Sequence, residues 1–182
     1  MIDGEKNLIE RAIKGEASAF GLLYDRYQPQ IYRFVYLKVG LREEADDLTH
    51  QVFLQSWGKI REYTFRGFPF SSWLYRIARN EIIDFYRTKK IFLDFETALE
   101  NSPELRAEEE VVKVVEKNLN IEKVKNAISQ LKPLEQDVII LRFIEELSPA
   151  EIGLIIDKTP ETIRLLQHRA IKNLQKILER FE

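Results

Sequence analysis

Two helix-start signals, Ser148-Pro149-Ala150-Glu151 and Thr159-Pro160-Glu161, stand eleven residues apart near the end of a 182-residue chain. In the first, serine is placed to cap, proline takes the first helical position, and Glu151 can return a bond to the cap. The interval holds only about two turns of helix, carrying Ile152, Ile155 and Ile156, before a turn at Asp157-Lys158. The second helix runs to about Phe181, with Ile163, Leu166, Ala170, Leu174, Ile177 and Leu178 facing inward. Helices joined this tightly predict a helix–turn–helix, whose second helix would enter a major groove. Its outward set is Thr162, Arg164, Leu165, His168 and Arg169, followed by Lys172. A guanidinium can grip a guanine edge bidentately, while Lys and capped helix ends hold phosphates. An ordinary solvated surface accounts for the same residues.

A second stretch, FRGFPFSSWLYRIARNEIIDFYRTKK from Phe65 to Lys90, places a helix start at Pro69 and Ser71. Leu74, Ile77, Ala78, Ile82 and Phe85 form one apolar stripe at helical spacing. Arg76, Arg79, Asn80, Ile83, Tyr86, Arg87 and Lys90 form another, with Lys89 beside its end. Cations alternating with Trp73, Tyr75 and Tyr86, after a loop bearing Tyr63, Phe65, Arg66, Phe68 and Phe70, suit single-stranded nucleic acid. Cations hold the phosphates, and each base stacked on an aromatic face contributes about 1–3 kcal/mol. Burial of the aromatics in a core is the competing account, since rings at helical spacing usually pack inward.

The remaining chain reads as helix throughout. Glycine is scarce at 7, β-branched alternation is rare, and the expected class is all-α. Asp3 can cap a first helix through Lys14, with Leu8, Ile9, Ala12 and Ile13 inside. A second helix spans about Ala17 to Gly40 on Phe20, Leu23, Tyr27, Ile31, Phe34, Val35 and Val39, with Pro29 within it. The third opens near Arg42-Glu43-Glu44 and buries Leu48, Val52, Phe53 and Trp57; its other face presents Asp46, Asp47, Gln51 and Gln55. From Ile91 to Asn120 the pattern loosens into an acidic segment, predicted to be a flexible linker. Beyond it, Ile121–Leu131 and Leu134–Glu146 are expected helices, the former turning Val124, Ala127, Ile128 and Leu131 inward. The net charge of -2 provides no global attraction to nucleic acid, so any basic patch is local. With no Cys, and with His50 and His168 far apart, neither a disulfide, a metal site nor a cofactor is implied. No glycine-rich phosphate loop or serine elbow suggests an enzyme. No signal peptide or bilayer-length apolar run is visible, and the expected location is cytoplasmic.

The stretch from Phe65 to Lys90 looks like the promoter-melting, minus-ten-reading segment of extracytoplasmic-function sigma factors, the compact class of bacterial transcription initiation factors. The segment LLYDRYQPQIYRFVYLKVGLREEADDLTHQVFLQSW is similar to the first sigma domain, and LSPAEIGLIIDKTPETIRLLQHRAIKNL resembles the second. The resemblance implies two small helical domains at 1–92 and 121–182, joined by a linker at 93–120. It makes Asp46, Asp47, Leu48, Gln51 and Gln55 contacts to the β′ clamp coiled coil of core RNA polymerase, with the β flap as a further contact. The minus-ten set becomes Tyr63, Phe65, Arg66, Phe68, Phe70, Trp73, Tyr75, Arg76, Arg79, Asn80, Tyr86, Arg87, Lys89 and Lys90. The minus-thirty-five set becomes Ser148, Lys158, Thr159, Thr162, Arg164, Leu165, His168, Arg169 and Lys172. Promoter DNA and an inhibitory anti-sigma protein, through which the chain could be held at a membrane, are the other implied partners.

Two departures from the family pattern stand out. Asp157 replaces a glycine often found in the turn, so the turn is expected to close without glycine's freedom at positive φ. Glu161 brings negative charge to where a phosphate would lie. The rival readings are a helix–turn–helix regulator acting without polymerase and a helical protein-interaction adaptor.

Overall fold

The computed structural model describes residues 4–65, 67–99 and 119–180, and every regular element among them is helical. Helices α1 (Glu5–Ile13), α2 (Ala17–Val39), α3 (Arg42–Lys59) and α4 (Phe70–Leu99) form the N-terminal group. Helices α5 (Leu119–Ser129), α6 (Pro133–Ile139), α7 (Pro149–Ile156) and α8 (Pro160–Leu178) form the C-terminal group. Asp3, expected to cap α1, lies outside the described residues. Gly4 stands at the N-cap position instead, with φ +95°.

The apolar periodicity is realised as packing. Leu23, Ile31, Phe34 and Val35 of α2 meet Val52 and Phe53 of α3 and Leu74, Tyr75, Ala78 and Ile82 of α4 in one buried cluster. Each Val, Leu, Ile or Phe side chain among them contributes roughly 1.5–3 kcal/mol on burial. Phe53 packs edge-on against Tyr24 and Trp57 leans on Phe20, with ring centroids 4.7 and 5.0 Å apart. Beneath α1, the Tyr27 hydroxyl donates to the buried Glu5 carboxylate. Burial and that carboxylate both push the Tyr27 phenol above its ordinary pKa.

In the C-terminal group, Ala127, Ile128, Leu131, Val138, Ile152, Ile155, Ile156, Ile163 and Ala170 are buried. Val124 and Leu178, both expected inside, are 45% and 39% exposed. The helix expected over Leu134–Glu146 is interrupted. The α-helix ends at Ile139, and Ile140–Ile144 continue as a wider π turn, with Glu145 N donating to Ile140 O at 3.0 Å. Glu146 then takes φ +59°, and Leu147 N closes onto Leu141 O at 2.9 Å. A π turn inserts an extra residue into a helix and redirects the side chains after it; here it delivers Glu145 toward α2 and α4.

The two groups are packed together. Helix α4 runs beside α7, α2 meets α5, and buried residues of both groups belong to one continuous cluster. The domain boundary expected at residue 92 is passed by α4, which continues to Leu99. Most of the linker expected at 93–120, with its acidic side chains, lies outside the described residues.

Candidate nucleic-acid interface

Between the short 3-10 turn at Ile60–Glu62 and α4, the chain crosses a loop in which Gly67 has φ +81°. Tyr63 stands edge-on to Phe70 and Trp73, at centroid separations of 5.1 and 5.2 Å. Phe70 in turn lies 5.2 Å from Trp73 and 5.6 Å from Tyr27. These rings form a wall anchored in the core. Above it lies a cavity of about 280 Å³ bordered by Tyr63, Phe68, Ser72, Trp73, Arg76 and Asn80. The Ser72 hydroxyl is buried there with no hydrogen-bond partner among the described residues. Phe65 is 58% exposed at the outer edge of the loop; Arg66 lies outside the described residues.

Two rings of the predicted minus-ten set belong to the core. Phe70 and Tyr75 are 2% and 0% exposed, so neither presents a face to a base. Tyr75 is edge-on to Phe34 of α2, which closes over it. Its hydroxyl donates to Glu145 at 2.7 Å, and burial, then the Glu145 charge, push its pKa up. Further along α4, Tyr86 is 44% exposed and donates to the Lys38 carbonyl at 2.9 Å; burial and Glu44 raise its pKa.

Several predicted cations are already paired. Arg79 Nε lies 2.9 Å from Asp137 Oδ2, Lys89 lies 2.8 Å from Glu44, and Arg87 lies 3.1 Å from Asp84. Arg76, Asn80 and Lys90 face solvent.

The second surface is the helix–turn–helix. The capping box forms as its sequence requires: Ser148 N donates to Glu151 Oε2 at 2.7 Å and Glu151 N to Ser148 Oγ at 3.3 Å. Thr162 N donates to Thr159 Oγ1 at 3.3 Å, capping α8. The side chains of Ser148 and Thr159 are therefore committed first to helix starts. The turn does not avoid positive φ. Asp157 adopts φ +61° and ψ 53°, a left-handed conformation that Asp tolerates better than most residues. Gly153, one helical turn earlier, lets the chain return tightly: a Cβ there would lie 2.5 Å from Lys158 O. Along α8, Arg164, Leu165, His168, Arg169 and Lys172 are exposed, Leu165 by 71%, and Lys158 is exposed in the turn. Thr162 is half-buried. Arg164 has Glu161 for a neighbour, 3.5 Å away. The Glu161 carboxyl is held below its ordinary pKa by its own backbone N–H and by Thr159.

On α3, Asp46, Asp47 and Gln51 face outward, while Gln55 donates to Glu81 of α4. Leu48, predicted with them as a polymerase contact, is only 8% exposed and belongs to the core. The sequence reading missed Leu54, 51% exposed one turn from Gln51; it lies off the buried stripe, and that position was its available signal. Ser72 and Leu154 at the cavity were missed because neither stands out by residue type. No group of His, Cys, Asp and Glu among the described residues is arranged to hold a metal ion.

Comparison with known proteins matches the two halves of the chain separately. The family profile described as Sigma-70 region 2 matches residues 23–91, and that described as Sigma-70, region 4 matches residues 127–176. BldN of Streptomyces coelicolor, an extracytoplasmic-function RNA polymerase sigma factor, is 36% identical over 94% of this chain, which spans 64% of that protein's length. SigW of Bacillus subtilis, of the same description, is 33% identical over 95% of this chain and 96% of its own. Among solved structures, CnrH in complex with the cytosolic domain of CnrY aligns over 99% of this chain and 100% of its own, with a TM-score of 0.75 and 21% identity. RpoE of Bartonella quintana, in complex with the anti-sigma factor NepR, covers 88% of this chain and 96% of its own, with a TM-score of 0.70 and 21% identity. The likeness to these two structures is one of fold. With both regions matched in order and one relative similar along nearly its whole length, the chain belongs to the extracytoplasmic-function RNA polymerase sigma factors, which are transcription initiation factors and not enzymes.

Proposed function

We propose that this chain directs core RNA polymerase to promoters by gripping the DNA at two places in two different states. Helix α8 reads the minus-thirty-five element as duplex through Arg164, Leu165, His168 and Arg169, with Lys158 and Lys172 on phosphates. The cavity behind the Tyr63–Pro69 loop takes an unstacked base of the minus-ten element. Trp73 and Tyr63 wall it, Asn80 and the unpartnered Ser72 hydroxyl supply hydrogen bonds, and Arg76 holds the backbone. Extracting a base costs a few kcal/mol, which stacking offsets at about 1–3 kcal/mol per base. Asp46, Asp47, Gln51, Gln55 and the exposed Leu54 dock on the polymerase clamp, with the C-terminal group at the β flap. An anti-sigma protein restrains the complex until a signal arrives. No described helix is long and apolar enough to cross a membrane. Work on polymerase and promoter DNA places the chain in the cytoplasm, where such a partner could hold it at a membrane.

The observation that carries this reading is the polar-bottomed, ring-walled cavity on one surface accompanied by an exposed recognition helix on another. The experiment is run-off transcription with purified core polymerase on genomic fragments. Adding the chain is expected to yield discrete start sites. Arg164→Glu with Arg169→Glu is expected to abolish them, each guanine contact being worth about 1–3 kcal/mol. Start sites insensitive to that double change would overturn the assignment of α8.

A further inference from the structure

Helix α1 carries a buried acid that the promoter and polymerase contacts do not use. Glu5 is 6% exposed at the first position of α1, where the positive end of the helix favours a carboxylate. It accepts the hydroxyl of Tyr27 on α2. Taking a carboxylate out of water is costly, and an apolar side chain would close the seam between α1 and α2 without that cost. What the acid adds is a directed bond that fixes the Tyr27 ring.

That ring is the rear of the cavity wall. Tyr27 lies 5.6 Å from Phe70, and Phe70 lies 5.1 Å from Tyr63 and 5.2 Å from Trp73, the two rings that border the cavity. Tyr27 and Phe70 are buried, whereas Tyr63 and Trp73 are half-buried and take their orientation from what stands behind them. Burial, then the Glu5 charge, raise the pKa of the Tyr63 phenol, which brings the acid close to a cavity ring as well. A further tie joins α1 to the same loop. The 3-10 turn from which the loop departs packs on α1, and the Arg61 guanidinium lies over the turn at Gly15, where a Cβ would stand 3.3 Å from Nη2. Rings receive a base well only when supporting contacts lock their planes beforehand.

We infer that Glu5 is a positioning residue for strand capture: through the Tyr27 hydroxyl it fixes the Tyr27–Phe70 pair, and through that pair the planes of Tyr63 and Trp73 that receive an unstacked base. Helix α1 thereby belongs to the minus-ten apparatus although none of its residues borders the cavity. The inference rests on the role proposed above for that cavity.

The test uses holoenzyme reconstituted with purified core polymerase on a promoter located by its run-off start site. A dye upstream reports binding by anisotropy. Aminopurine, a fluorescent base analogue placed in turn along the minus-ten strand, brightens where a base unstacks. With complexes saturated, the wild type is expected to brighten most at one position. Glu5→Ala should bind the upstream duplex as the wild type does but lower the opened-to-closed ratio about tenfold, the scale of one stacked base. Glu5→Gln, whose amide oxygen still accepts the Tyr27 hydroxyl, should open nearly as well as the wild type. Lost stability alone removes active chain and leaves the ratio among bound complexes unchanged. Should Glu5→Ala lose its helical circular dichroism, Tyr27→Phe, which keeps the ring and drops the bond, is read in its place and should show the same deficit.

Replacing the brightest position by an abasic residue takes away the base that the cavity would hold, and opening should then be weak and equal in wild type and variant. Opening unaffected by Glu5→Ala, a deficit shared by Glu5→Gln, or one that persists on the abasic promoter would overturn the inference. A wild-type holoenzyme that selects no start site, or binds one without brightening, would overturn the reading of the cavity beneath it. Normal wild-type opening with an unaffected Glu5→Ala counts against Glu5 alone.

Discussion

Asp157 does in this turn what glycine does elsewhere, at some cost. A left-handed conformation costs an L-residue roughly 1–2 kcal/mol, part of which glycine would return as lost chain entropy. Asp157→Gly is therefore expected to stabilise the chain by about 0.5–1 kcal/mol, read as a small rise in midpoint on thermal unfolding. The opposite holds at Gly153. A methyl group there would press on the Lys158 carbonyl at 2.5 Å, so Gly153→Ala should destabilise by about 1–3 kcal/mol despite alanine's better helix propensity. Glu161 stands at the start of α8 beside Arg164, where the proposed DNA face would bring a phosphate. Glu161→Gln is expected to raise duplex affinity roughly three- to tenfold at low salt, with the gain shrinking as salt screens the charge. An affinity unchanged at low salt would remove Glu161 from the DNA face.

At the scale of elements, helix starts and apolar stripes were legible in the sequence because they depend on neighbours a few residues away. Ser148 with Glu151, Thr159 with Thr162, and the stripe of Leu74, Ala78 and Ile82 all appear where local chemistry requires them. Which rings of α4 face outward was not legible. Tyr75 lies inside because Phe34, forty-one residues earlier, packs on it, and no periodicity within α4 encodes that partner. The end of α6 was equally hidden, since the π turn answers to packing against α2 and α4. Burial of tyrosines also sets the alkaline limit. Tyr27 and Tyr75 have pKa values raised in the folded chain, so the folded state binds more protons than the unfolded one once pH exceeds about 10. Stability is expected to hold below about pH 10 and decline above it. Tyr75→Phe should reduce that decline while costing about 1 kcal/mol at neutral pH for the lost bond to Glu145. Urea unfolding at a series of pH values checks both.

Across the whole molecule, a net charge of -2 conceals a division of labour. Arg33, Lys38 and Arg79 of the N-terminal group are matched by Asp137 and Glu145 of the C-terminal one. Such pairing engages part of the cationic surface of the N-terminal group, while the cations of α8 stay exposed. The two helical groups were visible in the sequence as two motif blocks; their mutual packing was not, because it joins residues about sixty to a hundred and ten positions apart.

The central claim is that one chain holds a promoter as intact duplex at one site and as separated strands at another. Permanganate footprinting of the reconstituted holoenzyme tests it most directly, because permanganate oxidises unstacked thymines and spares paired ones. The account predicts reactive thymines confined to the minus-ten region, protection without reactivity near minus thirty-five, and loss of the reactive thymines with Trp73→Ala and Asn80→Ala while upstream protection persists. Uniformly unreactive DNA, or the same thymine pattern from core polymerase without this chain, would contradict it.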